Sequence, residues 1–265
     1  AEPPRELIVA RLVRPPQGAA VRGAIGTEAM LLEQTTREVD AIRDDLVAGG
    51  IPSRGVAFVS PDPGGDLAEV AAREGIDLVL IDGRRPLRGG AVPRGEVERV
   101  LEDAPSDVAV LVARGDADLL EGAGGVIVVP FGGADHDWAA LELAAWLASA
   151  TQSTLRLCGG ARDEDVPRVQ RLVDDAAALV RVYAGVETDC ALVEPGLAGL
   201  TRAVEGAGLL TIGLSERWRD EGIGSVRSEL ARTTSVPILF VRRGERPGAL
   251  APTGDVTRFT WSRAT

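Results

Sequence analysis

Short runs of apolar, largely β-branched residues alternate with longer segments of helical periodicity along the whole chain, and this alternation narrows the possible folds more than any other feature. The runs are Leu7–Val13, Gly55–Ser60, Leu78–Asp82, Val108–Ala113, Gly125–Pro130, Thr154–Cys158, Asp189–Val193, Leu209–Gly213 and Ile238–Arg242. A strand with one wet face alternates apolar with polar residues, whereas most of these runs are apolar at consecutive positions, as strands buried on both faces must be. Between them, Thr27–Ala48, Gly65–Glu74, Gly95–Asp103, Asp135–Ala150, Asp165–Val182, Leu197–Glu205 and Ser225–Thr233 read as helices, several preceded by an Asp, Ser or Thr able to cap the first turn. Strand and helix taking turns predicts an α/β fold built of open parallel sheets.

The alternation repeats itself. Leu78–Gly115 and Leu209–Gly244 each read as strand, Arg-rich glycine loop, helix, strand, so the chain is expected to hold two similar domains in tandem. The expected boundaries are 1–115 for the first domain, 116–124 for a linker rich in Gly and acidic residues, 125–244 for the second domain and 245–265 for a C-terminal tail. The second half carries one strand and one helix more at its front than the first. Because the chain begins at Ala1 rather than Met, the sequence reads as a piece of a longer polypeptide whose upstream part supplies the first domain's opening strand and helix.

Composition removes several classes of function. With 29 basic against 40 acidic residues, a net charge of −11, the chain repels phosphate backbones, so no nucleic-acid partner is expected. Every one of those cations is Arg. No apolar run approaches the roughly 20 residues of a membrane helix, so this segment is not expected to insert directly. Cys158 and Cys190 belong to no CxxC pair and no His stands at ligand spacing; they read as buried thiols of a reducing cytosol, with no metal site.

The stretch Gly125–Gly244 resembles a universal stress protein domain: VIVVPFGGADHDWAALELAAWLA stands where that family has its first strand, loop and helix, and Gly224-Ser225 matches the end of its glycine-rich motif. More narrowly, GRRPLRGG, VVPFGGADHDWAALELAAWLA, GLSERWRDEG and RPGALAPTGDVTRFTW are similar to the C-terminal cytoplasmic region of actinobacterial-type cation:proton antiporters, over nearly the whole chain. The resemblance implies two universal stress protein-like (Rossmann-like, HUP-type) domains below the transmembrane antiporter domain of the same chain, on the cytoplasmic side. They would pair as an intramolecular pseudo-dimer through antiparallel last strands, Val108–Ala113 and Ile238–Arg242. It further implies a homodimer and a non-catalytic role in sensing a ligand or assembling the transporter.

Open α/β sheets bind ligands beyond the carboxyl ends of their strands, where helix N-termini offer free N–H groups to anions. The candidate nucleotide-binding residues are therefore Phe131, Gly132 and Gly133 after one strand, and Gly213, Ser215, Arg217, Gly222, Gly224 and Ser225 after another. The family's ligand is an adenine nucleotide, and its binding members resemble one another in a carboxylate after the first strand and a Gly-x2-Gly-x9-Gly-Ser/Thr run after the fourth. Here Gly132 stands in the carboxylate's place, ten residues rather than twelve separate Gly213 from Gly224, and Glu216 takes the middle glycine's position. In the first half Asp82 opens the loop, Arg94-Gly95 falls where Gly-Ser is expected, and Arg84, Arg85 and Arg88 can clamp phosphates, with Arg217 and Arg219 as their counterparts.

Other residues read as structure. Asp135-His136-Asp137 holds the only histidine; Asp135 can cap a helix, and no nucleophile motif accompanies it. Trp138, Leu141, Ala145 and Ala148 form a core stripe, while Trp146 falls off it and is available to a partner. No cofactor is required on this reading. ATP, cyclic di-AMP or no ligand stay open, and so do the alternatives of a ligand-free dimerisation scaffold and a stand-alone ATP-binding universal stress protein.

Overall fold

The computed structural model describes residues 6–15, 21–83, 93–113, 125–246 and 248–250. They divide into two compact units, one ending at Val70 and the other beginning at Ala71. The proposed linker 116–124, the arginines at 84, 85 and 88, and the tail beyond Leu250 lie outside the described residues.

In the first unit, β1 (Leu7–Val13) and β2 (Ser53–Val59) pair in parallel, joined by the long helix α1 (Val21–Ala48). The helix begins six residues ahead of Thr27, because isolated glycines such as Gly26 cost a helix only about 1 kcal/mol each and need not end it. Val39 is buried under β2, where a side chain at Gly55 would collide with it. α2 (Pro63–Glu74) also starts earlier than expected: Asp62 accepts the Gly65 N–H, and Pro63 takes the first helical position, where no donor is lost.

The second unit is built on β3 (Leu78–Asp82), α3 (Glu96–Asp103), β4 (Asp107–Val112), β5 (Val126–Pro130), α4 (Asp135–Thr151), β6 (Thr154–Gly160), α5 (Val166–Ala184), β7 (Thr188–Val193), α6 (Leu197–Val204), β8 (Ala207–Gly213), α7 (Trp218–Glu221), α8 (Ser225–Thr233) and β9 (Ile238–Arg242). Its seven strands form one sheet in the order β3-β4-β9-β8-β5-β6-β7. Every neighbouring pair is parallel except β4 and β9, which run antiparallel with Val110 opposite Phe240. That is the junction expected between the two repeats. Corresponding pairs agree in register as well, Val79 lying opposite Val108 and Leu210 opposite Ile238.

The core lies on both faces of this sheet. On one, Ile127, Val129, Leu155 and Leu157 pack with the stripe Trp138, Leu141, Ala145 and Ala148 of α4 and with Val173, Ala176 and Val180 of α5. β6 runs two residues past Cys158, since Gly159 and Gly160 still pair with Leu192 and Val193. The missing side chain at Gly159 is what lets Val169 and Val173 of α5 approach, so this glycine serves packing rather than a turn. α7 was not expected; a buried Trp218 anchors it inside the loop after β8.

Residues after β9 dock onto the unit. Arg246 pairs with Asp107 of β4 and Glu142 of α4, both carboxylates being buried, and its guanidinium lies 5.0 Å from the centre of the Trp146 ring. Glu142 also accepts the Ala249 N–H at 2.7 Å, and Leu250 is buried in the core. The two carboxylates hold Arg246 firmly protonated, outweighing its burial.

Candidate functional site

β5 lies between β6 and β8, so the chain winds away from it in both directions and leaves a crevice at the carboxyl ends of these strands. A cavity of about 560 Å3 occupies that crevice, in the range of small-molecule sites. Pro130, Phe131 and Gly132 line it from the end of β5, Cys158 and Gly160 from β6, Val193 to Gly196 from the loop after β7, and Gly224 to Arg227 from the start of α8.

The loop after β5 closes on itself. The Asp137 carboxylate accepts the Gly132 N–H at 2.9 Å and the Ala134 N–H at 3.2 Å, tying down the amides that would otherwise meet an anion. Asp137 thus does the capping expected of Asp135, which is exposed and reaches Arg243 at 3.5 Å. The reason is position: the third residue of a helix can fold its carboxylate back over the preceding loop, whereas the first points away from it. Phe131 and Trp138 stack edge to face at 4.8 Å and stiffen the same corner, and His136 sits 3.4 Å from Asp137 on the cavity wall.

Across the cavity the donors are open. Gly224, immediately before α8, has a φ of 85° that only glycine adopts without strain, and no side chain caps the helix's first turn. Helix N-termini of this kind carry partial positive charge. Arg227 adds a full one: half-buried on the cavity wall, its guanidinium makes no hydrogen bond or ion pair to the described residues and has only the nearby field of Asp137 to offset its burial. Burial lowers its pKa from the ordinary value, and an arginine remains charged even so. Arg168, also on the wall, pairs with Asp165 at 3.4 Å.

The candidate residues read from the sequence therefore separate. Phe131, Gly132, Gly224 and Ser225 come together on the cavity wall. Gly133 stands just off it, where a side chain would meet Leu172, and Gly213 serves close packing: a Cβ there would lie 2.3 Å from the His136 carbonyl oxygen. Ser215 accepts the Arg217 N–H, and Arg217 is exposed and faces Glu221 at 3.6 Å. Gly222 ends α7 in a left-handed turn, and Arg219 stacks on Trp218 and lies 3.6 Å from Glu102. Arg227 and Arg168 were missed. A signal for Arg227 does exist in the sequence, since a cation in the first turn of a helix opposes the helix dipole and invites an anion to balance it.

Cys158 and Cys190 lie on adjacent strands as free thiols, and burial pushes Cys158 up to about 11. Among the described residues no cluster of His, Cys, Asp or Glu is arranged to hold a metal ion, and no helix is long and apolar enough to cross a membrane.

No family model matches the chain, and no curated protein matches it. Solved structures do. A universal stress protein from Archaeoglobus fulgidus DSM 4304 superposes with a TM-score of 0.63 at 18% identity, covering 91% of this chain and 86% of that one. The cytoplasmic domain of a prokaryotic cation chloride cotransporter gives 0.60 at 12% identity, covering 94% and 89%. A putative universal stress protein from Pseudomonas aeruginosa UCBPP-PA14 gives 0.53 at 13% identity over 90% and 93%. The fold is thus the α/β, mostly parallel architecture of universal stress protein-like domains.

Proposed function

We propose that this chain is a regulatory module of a cation transporter that senses an anionic small molecule in the cavity at the carboxyl ends of β5 and β8. The observation that carries the binding half is Arg227, a charged guanidinium without a partner among the described residues, on a cavity wall beside the uncapped start of α8. Guanidinium and helix N-terminus together suit a phosphate, and the cavity's size suits a nucleotide. An adenine nucleotide or cyclic di-AMP is the ligand class we favour. The transporter half is supported by the shared fold of the cotransporter cytoplasmic domain and by the sequence resemblance to cation:proton antiporters, on the cytoplasmic face of which the chain would act, as a homodimer.

The role is non-catalytic: a ligand biases transport only by the difference in its affinity for two conformations. Calorimetric titration with ATP and with cyclic di-AMP tests it. Saturable binding is expected, weakened tenfold or more by Arg227→Ala and little by Arg217→Ala, with no phosphate released. A ligand at a hundred times its Kd adds about 2.7 kcal/mol of stability, so thermal shifts give an independent readout. Flat titrations with both ligands overturn the sensor and favour the second reading, a ligand-free scaffold, which the Asp137-closed loop supports. In membrane vesicles holding an antiporter that carries this chain, ligand is expected to change proton-coupled cation exchange, and Arg227→Ala to remove that response.

A further inference from the structure

The chain has one histidine, and the fold puts it on the cavity wall. His136 is the second residue of α4, its side chain is 24% exposed, and its Nε2 lies 3.4 Å from Oδ1 of Asp137. The other oxygen of that carboxylate, Oδ2, accepts the Gly132 and Ala134 N–H groups, and the same carboxylate provides the field that offsets the burial of Arg227. The imidazole therefore shares one carboxylate with the closed loop after β5 and with the guanidinium that faces the cavity.

The charges around this histidine are largely paired with one another. Its own helix supplies Asp135, which reaches Arg243 after β9, then Asp137, and further along Glu142, which holds Arg246. Arg227 of α8, Arg168 of α5 and Glu194 of the loop after β7 share the cavity wall, Arg168 pairing with Asp165 and Glu194 with Arg202. β5 and β8, packed against α4, carry no charged side chain. β6 brings Arg156, paired with Asp189, and Cys158, which is pushed up to about 11 and stays neutral; Arg242 of β9 donates to the Ala104 carbonyl. An anion entering this cavity adds negative charge beside the imidazole, and nearby negative charge favours the protonated form.

We infer that the anionic ligand of this cavity binds together with a proton, which the free ring nitrogen of His136 takes from solvent. The inference rests on the proposed anion site and adds its regulation. Linkage is reciprocal: a ligand that draws a proton onto His136 is itself bound more tightly as pH falls, by the same factor. The module would thus read ligand and acidity jointly, its occupancy rising as the solution around it acidifies through the range in which an imidazole titrates.

Cyclic di-AMP is the probe, because its phosphodiesters keep their charge across the neutral range, and the chain is used without a histidine tag. Calorimetric titration in buffers of different ionisation enthalpy counts the protons: uptake of roughly half a proton per ligand near neutral pH is expected, with about fivefold tighter binding at pH 6 than at pH 8. His136→Gln is expected to bind without proton uptake and with little dependence on pH. The single imidazole resonance of the parent chain gives a readout that needs no variant, its titration midpoint moving to higher pH when ligand is present. Binding without proton uptake and without movement of that resonance overturns the inference and leaves the anion site standing, as does uptake that persists in His136→Gln. Absence of binding at every pH removes the anion site and this inference with it.

Discussion

In β3, Val79 faces Val108 across the ladder; in β8, one repeat later, Leu210 faces Ile238. The strands obey one plan, and what surrounds them does not. β4 opens on a buried Asp107 where β9 is preceded by Pro237; β3 exposes Leu80 where β8 buries Thr211; β3 ends on Asp82 where β8 ends on Gly213. The difference teaches that consecutive apolar residues suffice to make a strand of the sheet, while the residues that break the repeat record what is packed on each copy.

The sharpest break among the described residues is the charge cluster where the second repeat's trailing residues cross onto β4. Arg246→Ala would strand Asp107 and Glu142 as buried carboxylates without their cation. Breaking a buried pair from one side costs about 3–5 kcal/mol, and chemical denaturation is expected to register a loss of that order. A loss under 1 kcal/mol would mean that the residues after β9 do not dock in solution.

Next in size is Gly213→Ala. The new methyl would meet backbone atoms of His136 and Asp137, which cannot rotate away, so a cost near the upper end of about 1–3 kcal/mol is expected from equilibrium unfolding. Asp82, at the matching place in β3, already carries a side chain, which is why the comparison assigns the clash to α4 rather than to the strand.

Both cysteines lie in the second half, so thiol titration reports on that half alone. Burial raises the Cys158 thiol from its ordinary 9.0 to about 11, which means the unfolded chain gives up this proton first. The associated stability is complete below pH 9 and is lost as pH rises toward 11, at most about 2–3 kcal/mol. Cys190 shifts in the same direction, also chiefly by burial. Denaturation at pH 8 and pH 10.5 should show this slope in the parent and a shallower one in Cys158→Ala. Equal slopes would place Cys158 in contact with water.

The sheet was legible from the sequence because buried parallel strands need apolar residues at every position, and the β4–β9 junction followed from the repeat together with the family resemblance. The cavity wall was legible only at Phe131, Gly132, Gly224 and Ser225. Attention to loop arginines led to Arg217 and Arg219, which the structure pairs with surface acids, while Arg227 was hidden as an ordinary helical residue. The loop-closing role of Asp137 is hidden for a similar reason: it depends on the fold of the loop before it, and helix signals alone say nothing of that. Gly159 looks like the end of a strand in one dimension and Gly213 like a ligand-binding glycine; both are strand positions where another element comes too close for a side chain.

The finest test of the comparison substitutes the matched residues Leu80 and Thr211, one exposed and the other buried. Thr211 is fully buried and its hydroxyl has no hydrogen-bond partner, so it bears the desolvation of a polar group without compensation. Thr211→Val keeps the shape and removes that group, and is expected to raise stability by about 1 kcal/mol. Leu80→Thr, which places the second repeat's residue in the first, touches an exposed side chain and should shift stability by no more than about 0.5 kcal/mol. If Leu80→Thr costs several times that amount, Leu80 is covered in the isolated chain, and the two halves of the repeat are more alike in their packing than their exposures indicate.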